Sequence, residues 1–316
     1  MREISHKKMN RKTVNTMAEA GISPLEILAT LNAHPRDKNI VFEPIEHKYT
    51  IEGASDYVSV TTYNSSHFEA FDPDDAIGKM RNGRNWGPSN KYYTMTDDEI
   101  KKMWVDGGTD AATLGENMHA SIELFMNNSR GEYPYTHADL LLDYVTQYPT
   151  IAPDSVEWNY FLNYLSDNPG LVPYRTEWRI YDEDLKLAGS IDMVYKLADG
   201  TYGIYDWKRS KDMVLTPIWK KYATTECISH LYDTNYWHYV LQLNTYRRIL
   251  QRKYGLRVTQ LVLVRIHPNA GNYELYTLPM IDDEMNALSE LRLEQVAYDK
   301  LNRNPTKNDG IIAKPL

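Results

Sequence analysis

The chain has 316 residues with a formal net charge of −8, 42% hydrophobic and 25% charged side chains, which excludes collagen-like and disordered classes and leaves one large α/β domain with an added helical part, or two packed domains. Its single cysteine, Cys227, excludes a disulfide framework and a four-cysteine cluster within one chain, so any metal has to be held by Asp, Glu, His and backbone oxygens. No apolar run reaches the ~20 residues of a membrane span, and the basic start from Met1 to Lys12 lacks the apolar stretch of a secretory signal, so an intracellular, reducing location is expected.

Residues 1–40 read as helical, with Ser23 capping a helix over 24–31 that has Pro24 at its first position. Residues 41–62 alternate weakly and read as one or two strands ending in Val58-Ser-Val-Thr-Thr62. Asp72-Pro-Asp-Asp opens a helix, and residues 82–90, with Gly83, Gly87 and Pro88, form a loop. Thr96-Asp-Asp-Glu99 is a capping box for a helix through Trp104 that Gly107-Gly108 closes. In the next helix, over 109–127, His119 and Glu123 lie one turn apart on one face, beside an apolar stripe of Leu114, Met118, Ile122, Phe125 and Met126. Two more helices are expected over 139–147 and 154–166, stopped by Asn168-Pro-Gly170.

Residues 176–181, including Glu177, read as a short strand. Residues 187–195 and 201–208 are rich in β-branched and aromatic side chains and are separated by Ala198-Asp199-Gly200, the signature of a hairpin. A period of two puts Asp206 and Lys208 on one face, Trp207 on the other, and Asp192 on a face with Ser190 and Val194. If the hairpin lays Asp192 beside Asp206, two carboxylates and an ammonium converge, and hard oxygen ligands of this kind suit Mg²⁺ or Mn²⁺. Residues 211–234 read as irregular, 235–254 as a helix carrying Gln242 and Tyr246 four apart, 258–267 and 273–278 as a hairpin, and 282–301 as an amphipathic helix. There is no internal repeat and no phosphate-loop motif, so no ATP hydrolysis is expected.

Charge is unevenly spread. From Asp206 to Arg257 there are ten Lys/Arg against four Asp/Glu, a local balance of +6 in a chain of net −8, and Arg209 and Lys211 leave the second hairpin strand directly. The 25 Tyr and 7 Trp against 5 Phe add amphipathic rings suited to stacking on bases.

Gly115-x-x-x-His119-x-x-x-Glu123, Gly189-Ser-Ile-Asp192, Asp206-Trp-Lys208 and Gln242-x-x-x-Tyr246, in this order over about half the chain, resemble the PD-(D/E)xK nuclease superfamily, and within it the RecB-like branch that includes the mitochondrial genome maintenance exonucleases. Ser-Ile-Asp stands for the nominal Pro-Asp, and Asp206 for the more usual Glu; the single cysteine excludes the iron–sulfur subset. The resemblance implies a restriction-endonuclease-like α/β core of helix, three-strand meander, helix and strand, with an additional N-terminal helical region. It implies that Asp192, Asp206 and the backbone carbonyl of Trp207 bind Mg²⁺ or Mn²⁺, with His119 as a further ligand. Lys208 would orient the attacking water, and Gln242 and Tyr246 would support the site or the DNA strand, with Arg209 and Lys211 as candidate substrate contacts. Glu123 and Glu177 read either as carboxylates of a second metal or support for the first, or as ordinary surface acids.

The expected organisation is a mostly helical region over 1–108 as a candidate cover, a nuclease core over 109–301 with a helical insertion at about 136–170, and a polar tail over 302–316. The expected activity is metal-dependent DNA exonuclease action on single strands or ends, in replication, repair or recombination. The alternatives are a non-cleaving nucleic-acid-binding protein on the same scaffold, or a DNA or RNA endonuclease of the same fold.

Overall fold

The computed structural model describes residues 21–23, 25–128, 155–217 and 220–303; the helix expected over 139–147 and the tail from 304 lie outside them. Elements form where local chemistry asks for them. After α1 (Ile27–Leu31) come the hairpin strands β1 (Ile40–Glu43) and β2 (Lys48–Ile51) and a two-residue strand β3 (Val58–Ser59). Ser59 Oγ accepts the amide of Thr62 and starts α2 (Val60–Ser65), so the β-branched run expected to finish as strand is helical. The helix expected over 24–31 is likewise shorter, five residues with no side-chain cap. Asp72 caps α3 (Pro73–Arg81), with Pro73 in its first turn.

The capping box at the next helix is reciprocal: Thr96 N donates to Glu99 Oε2 at 2.7 Å and Glu99 N to Thr96 Oγ1 at 3.3 Å. That helix, α4 (Asp97–Asn128), runs unbroken for 32 residues, so Gly107-Gly108 do not end it and the expected boundary at 108/109 falls inside it. No αL residue occurs there to stop it, and two glycines at roughly 1 kcal/mol each do not outweigh the packing of its C-terminal half. Next come α5 (Val156–Asp167), β4 (Val172–Asp182), β5 (Leu187–Lys196), β6 (Tyr202–Lys208), α6 (Asn235–Lys253), β7 (Val258–Arg265), β8 (Glu274–Thr277) and α7 (Asp282–Arg303). Gly200, at φ 83°, makes the turn between β5 and β6, and Gly255, at φ 68°, ends α6.

The result is a mixed α/β fold. β4 pairs antiparallel with the full length of β5. The other edge of β5 is divided: β3 pairs in parallel at Leu187 and Ala188, and β6 pairs antiparallel from Met193 to Lys196. β6 then runs parallel to β7, and β8 closes the far edge. One face of the sheet packs on α6 and α7 through Ile204, Leu261, Leu263, Val240, Leu243 and Leu288; the other packs on α5 and the C-terminal half of α4 through Tyr195, Trp207, Val264, Ile122, Phe125 and Phe161.

Residues 189–192 of β5 lack a partner on the divided edge, because β6 leaves β5 after the Met193–Tyr205 pair and continues with β7 through Asp206, Trp207 and Lys208. The sheet is split at this point, and side chains from both helix layers meet in the split.

Candidate metal centre

Asp206 and Lys208 share a face and Trp207 takes the opposite one, as a period of two requires. Trp207 is packed edge-on by Phe161 and Tyr164, while Lys208 Nζ lies 2.7 Å from Asp206 Oδ2 and 4.8 Å from the Tyr239 ring centre. On β5 the alternation slips. Ile191 and Val194 pack on the α6 side, and Met193 and Tyr195 on the α4 side, so Asp192 does not share a face with Val194 as expected. The same slip occurs across the ladder: Thr176 accepts a hydrogen bond from Asn127 of α4, whereas Trp178 and Ile180 pack on the α6 side. Between them stands Glu177 at φ 40°, a left-handed backbone that is costly for a residue with a Cβ. The flanking pairs Thr176–Met193 and Trp178–Ile191 put Glu177 opposite Asp192. The two slips therefore coincide.

Their consequence is a cluster. His119 Nδ1 lies 3.5 Å from Asp192 Oδ2 and 3.8 Å from Glu177 Oε1. One ligand atom from each of His119, Glu177 and Asp192 can be chosen so that all lie within 4.8 Å of one another, the one such group among the described residues. His119 Nε2 is 2.8 Å from the Trp207 carbonyl. With a proton on Nε2 donated to that carbonyl, Nδ1 faces the carboxylates with its lone pair, the orientation usual for a metal-binding imidazole. Asp192 Oδ2 also accepts the Trp207 amide at 3.0 Å, and Ser190 Oγ donates to Glu177 Oε2 at 3.0 Å.

This set differs from the one implied by the resemblance: Glu177 is inside it, and Asp206 stands beside it with Lys208. Asp206 is 2% exposed, and its Oδ2 is paired with the Lys208 ammonium at 2.7 Å.

The electrostatics agree with a cation-seeking site. Burial works against the His119 imidazolium, but Asp192 and Glu177 outweigh it and hold its pKa at about 9. Burial raises Asp192 against the pull of His119 and Lys208, and burial together with the Asp192 charge raises Asp206. One turn along α4, burial and the charge of Glu177 push Glu123 up to about 7. Lys208 is held above its usual range by Asp206 and Asp192 despite burial. The donors, one imidazole nitrogen and hard carboxylate oxygens, fit Mg²⁺ or Mn²⁺.

No family model and no curated protein matches this chain. Among solved structures, a crystal structure named as that of a "Putative exonuclease" from Eubacterium rectale is 12% identical, covers 62% of this chain and 83% of its own, and has a TM-score of 0.28. A second, of SSO0001, is 14% identical over 61% of this chain and 96% of its own, with a TM-score of 0.23. Likeness at this level assigns neither fold nor activity, and the residues themselves have to carry the reading.

Gln242 and Tyr246 sit behind the split. Gln242 Nε2 donates to Tyr246 Oη at 3.2 Å, and the buried Tyr246 ring lies against Gly189, where an added Cβ would come within 2.7 Å of Cε1. Gly189 is thus required by close approach of a side chain. Arg209 is engaged with Glu157 at 2.9 Å, both side chains under one-fifth exposed, whereas Lys211 is exposed. Sequence reasoning missed Tyr239 as a site neighbour. Tyr239 lies three residues before Gln242 on α6, so its helical face was the available signal.

Proposed function

We propose that this protein is a metal-dependent nuclease that hydrolyses phosphodiester bonds of DNA, acting on single strands or ends as an exonuclease of the RecB-like PD-(D/E)xK type. The observation that carries this is the convergence of His119, Glu177 and Asp192 beside the buried Asp206–Lys208 pair, at the point where the sheet splits. His119, Glu177 and Asp192 would hold Mg²⁺ or Mn²⁺, with Asp206 Oδ2 and the Trp207 carbonyl at its margin.

A bound divalent cation supplies charge neutralisation at phosphate oxygens and acidifies water. The chain does the rest. Trp207 orients His119 and Asp192 through its carbonyl and its amide. Asp206 and the Tyr239 ring hold the Lys208 ammonium in place, where it offers a compact positive charge to the charge developing on phosphorus oxygens. Gln242 and Tyr246 brace β5 at Gly189, three residues before Asp192. No helix among the described residues is long and apolar enough to cross a membrane. An intracellular role in replication, repair or recombination belongs to the same proposal.

The test is cleavage of end-labelled linear single strands, linear duplex and closed circles with Mg²⁺, with Mn²⁺ and with chelator, alongside Lys208→Ala. Metal-dependent loss of linear single strands that Lys208→Ala abolishes supports the reading; cleavage of circles moves it to an endonuclease. No cleavage with either metal refutes it and leaves a nucleic-acid-binding protein.

A further inference from the structure

Residues 76–96 carry four cations (Lys79, Arg81, Arg84 and Lys91) and no Asp or Glu. Three of the acids that flank this stretch are engaged: Asp75 with Lys79, Asp97 with Arg81, and Asp74 with Lys101. Arg84 and Lys91 are exposed, with no ion-pair partner among the described residues. Aromatic rings are interleaved with them. Trp86 and Tyr93 lie 5.7 Å apart with their planes at 51°, Arg81 covers the Trp86 ring at 4.8 Å, and Lys91 covers Tyr92 at 4.5 Å. Trp104 Nε1 donates to Tyr92 Oη at 2.9 Å, which fixes the Tyr92 ring. These rings are not the core of this part of the chain. That role belongs to Ile77 and Ile100, at 1% and 0% exposure, whereas Tyr93 is 43% exposed.

The position also matters. Residues 105–114 of α4 are exposed on every face of the helix among the described residues, so the aromatic segment stands off from the sheet. It is tied to the metal centre by the helix that carries His119. Trp104 and His119 are fifteen residues apart on it, about 22 Å along the axis.

We propose that the loop between α3 and α4 is a stacking platform for single-stranded DNA, with Trp86 and Tyr93 receiving base faces and Arg84 and Lys91 pairing with phosphates. Unpaired bases expose π-faces that a duplex hides, and a ring beside a cation serves base and phosphate together. This rests on the nuclease reading and deepens it by giving the strand a second foothold away from the metal centre, one that would favour single strands over duplex.

The test is fluorescence anisotropy of labelled oligo(dT)20 and of a blunt 20-base-pair duplex with the full chain in EDTA, over a salt titration. Trp86→Ala and Tyr93→Ala are each expected to weaken oligo(dT)20 about tenfold, within the range of stacking one base, and to leave duplex binding unchanged. Arg84→Ala combined with Lys91→Ala is expected to lower the salt slope by about 1.4, since both lie on the surface and each phosphate contact on a single strand contributes ~0.7. This double variant keeps the proposal testable if Trp86→Ala fails to fold. Unchanged oligo(dT)20 affinity and salt slope in the folded variants overturn the proposal, as does equal weakening of duplex and single strand. Because binding is read without metal, a protein that cleaves nothing but shows the expected pattern refutes the nuclease reading and keeps the platform. A nuclease whose variants bind oligo(dT)20 like the unmodified protein loses only the platform.

Discussion

Gly189→Ala tests the packing of the Tyr246 ring on β5 beside the split. An added Cβ would lie 2.7 Å from Tyr246 Cε1, 3.1 Å from Oη and 3.3 Å from Cζ. Tyr246 is 3% exposed and bonded to Gln242, so its ring has little room to retreat. Overpacking of a core costs typically 1–3 kcal/mol, and a buried ring met at this distance belongs in the upper half, about 2–3 kcal/mol. At roughly 2–4 °C per kcal/mol for a chain of this size, the melting temperature should fall by about 5–10 °C. The assay is chemical denaturation of the unmodified protein, Gly189→Ala, Tyr246→Ala and the double variant. Tyr246→Ala alone is expected to cost about 3–5 kcal/mol. Adding Gly189→Ala to it should cost nothing further, because the clashing atoms are gone, giving a coupling near 2 kcal/mol. A Gly189→Ala variant as stable as the unmodified protein, or costs that simply add, would refute the account of why glycine stands at 189.

Three other predictions follow from the site and its surroundings. Glu177→Gln removes one of the carboxylates that face His119, so stabilisation by Mn²⁺, about 2.7 kcal/mol at a hundredfold excess over Kd, should nearly vanish; retained stabilisation counts against Glu177 as a ligand. His119, raised to about 9 in the folded chain from about 6.5 unfolded, stabilises the metal-free protein below pH 6.5 and loses that contribution as pH rises through 9. Mn²⁺ must displace its proton, so affinity should rise about tenfold per pH unit toward 9; calorimetric heats that do not vary with buffer ionisation enthalpy would contradict this. His67 lies away from the site, its ring buried against Tyr63 with Nδ1 2.9 Å from Thr225 Oγ1, and burial lowers its pKa to about 4. The unfolded chain therefore binds the proton first: stability is complete above pH 6.5 and falls by up to about 3 kcal/mol as pH drops toward 4. Chemical denaturation across that range should show a flatter profile for His67→Phe.

Much of the fold is legible locally. The helix start at Asp72 and the capping box at Thr96 formed as expected, Gly200 and Gly255 mark a turn and a helix end, and the β-rich runs at 187–195, 201–208 and 258–267 became strands within two residues of the expected limits. These are short-range matters of sterics and hydrogen bonding. Where two local signals competed, packing decided: Ser59 capped a helix inside a β-branched run, and the C-terminal half of α4 carried Gly107-Gly108 into one long helix.

The sequence by itself determined that Asp206 and Lys208 share a face and that Trp207 opposes them, since a strand has a period of two. It also determined that His119 and Glu123 share a helix face and that any metal site must use oxygen and imidazole. Only the tertiary structure decided which acids meet His119. Glu177 adopts a left-handed backbone, Asp192 slips in phase opposite it, and both turn toward α4, while Asp206 is drawn to Lys208 and Arg209 to Glu157. A slip in alternation has no composition or periodicity of its own. It lies where β6 leaves β5, close to Gly189, which the Tyr246 ring covers from 57 positions away in the chain, and contacts of that separation are set by the packing of the whole sheet between its helices.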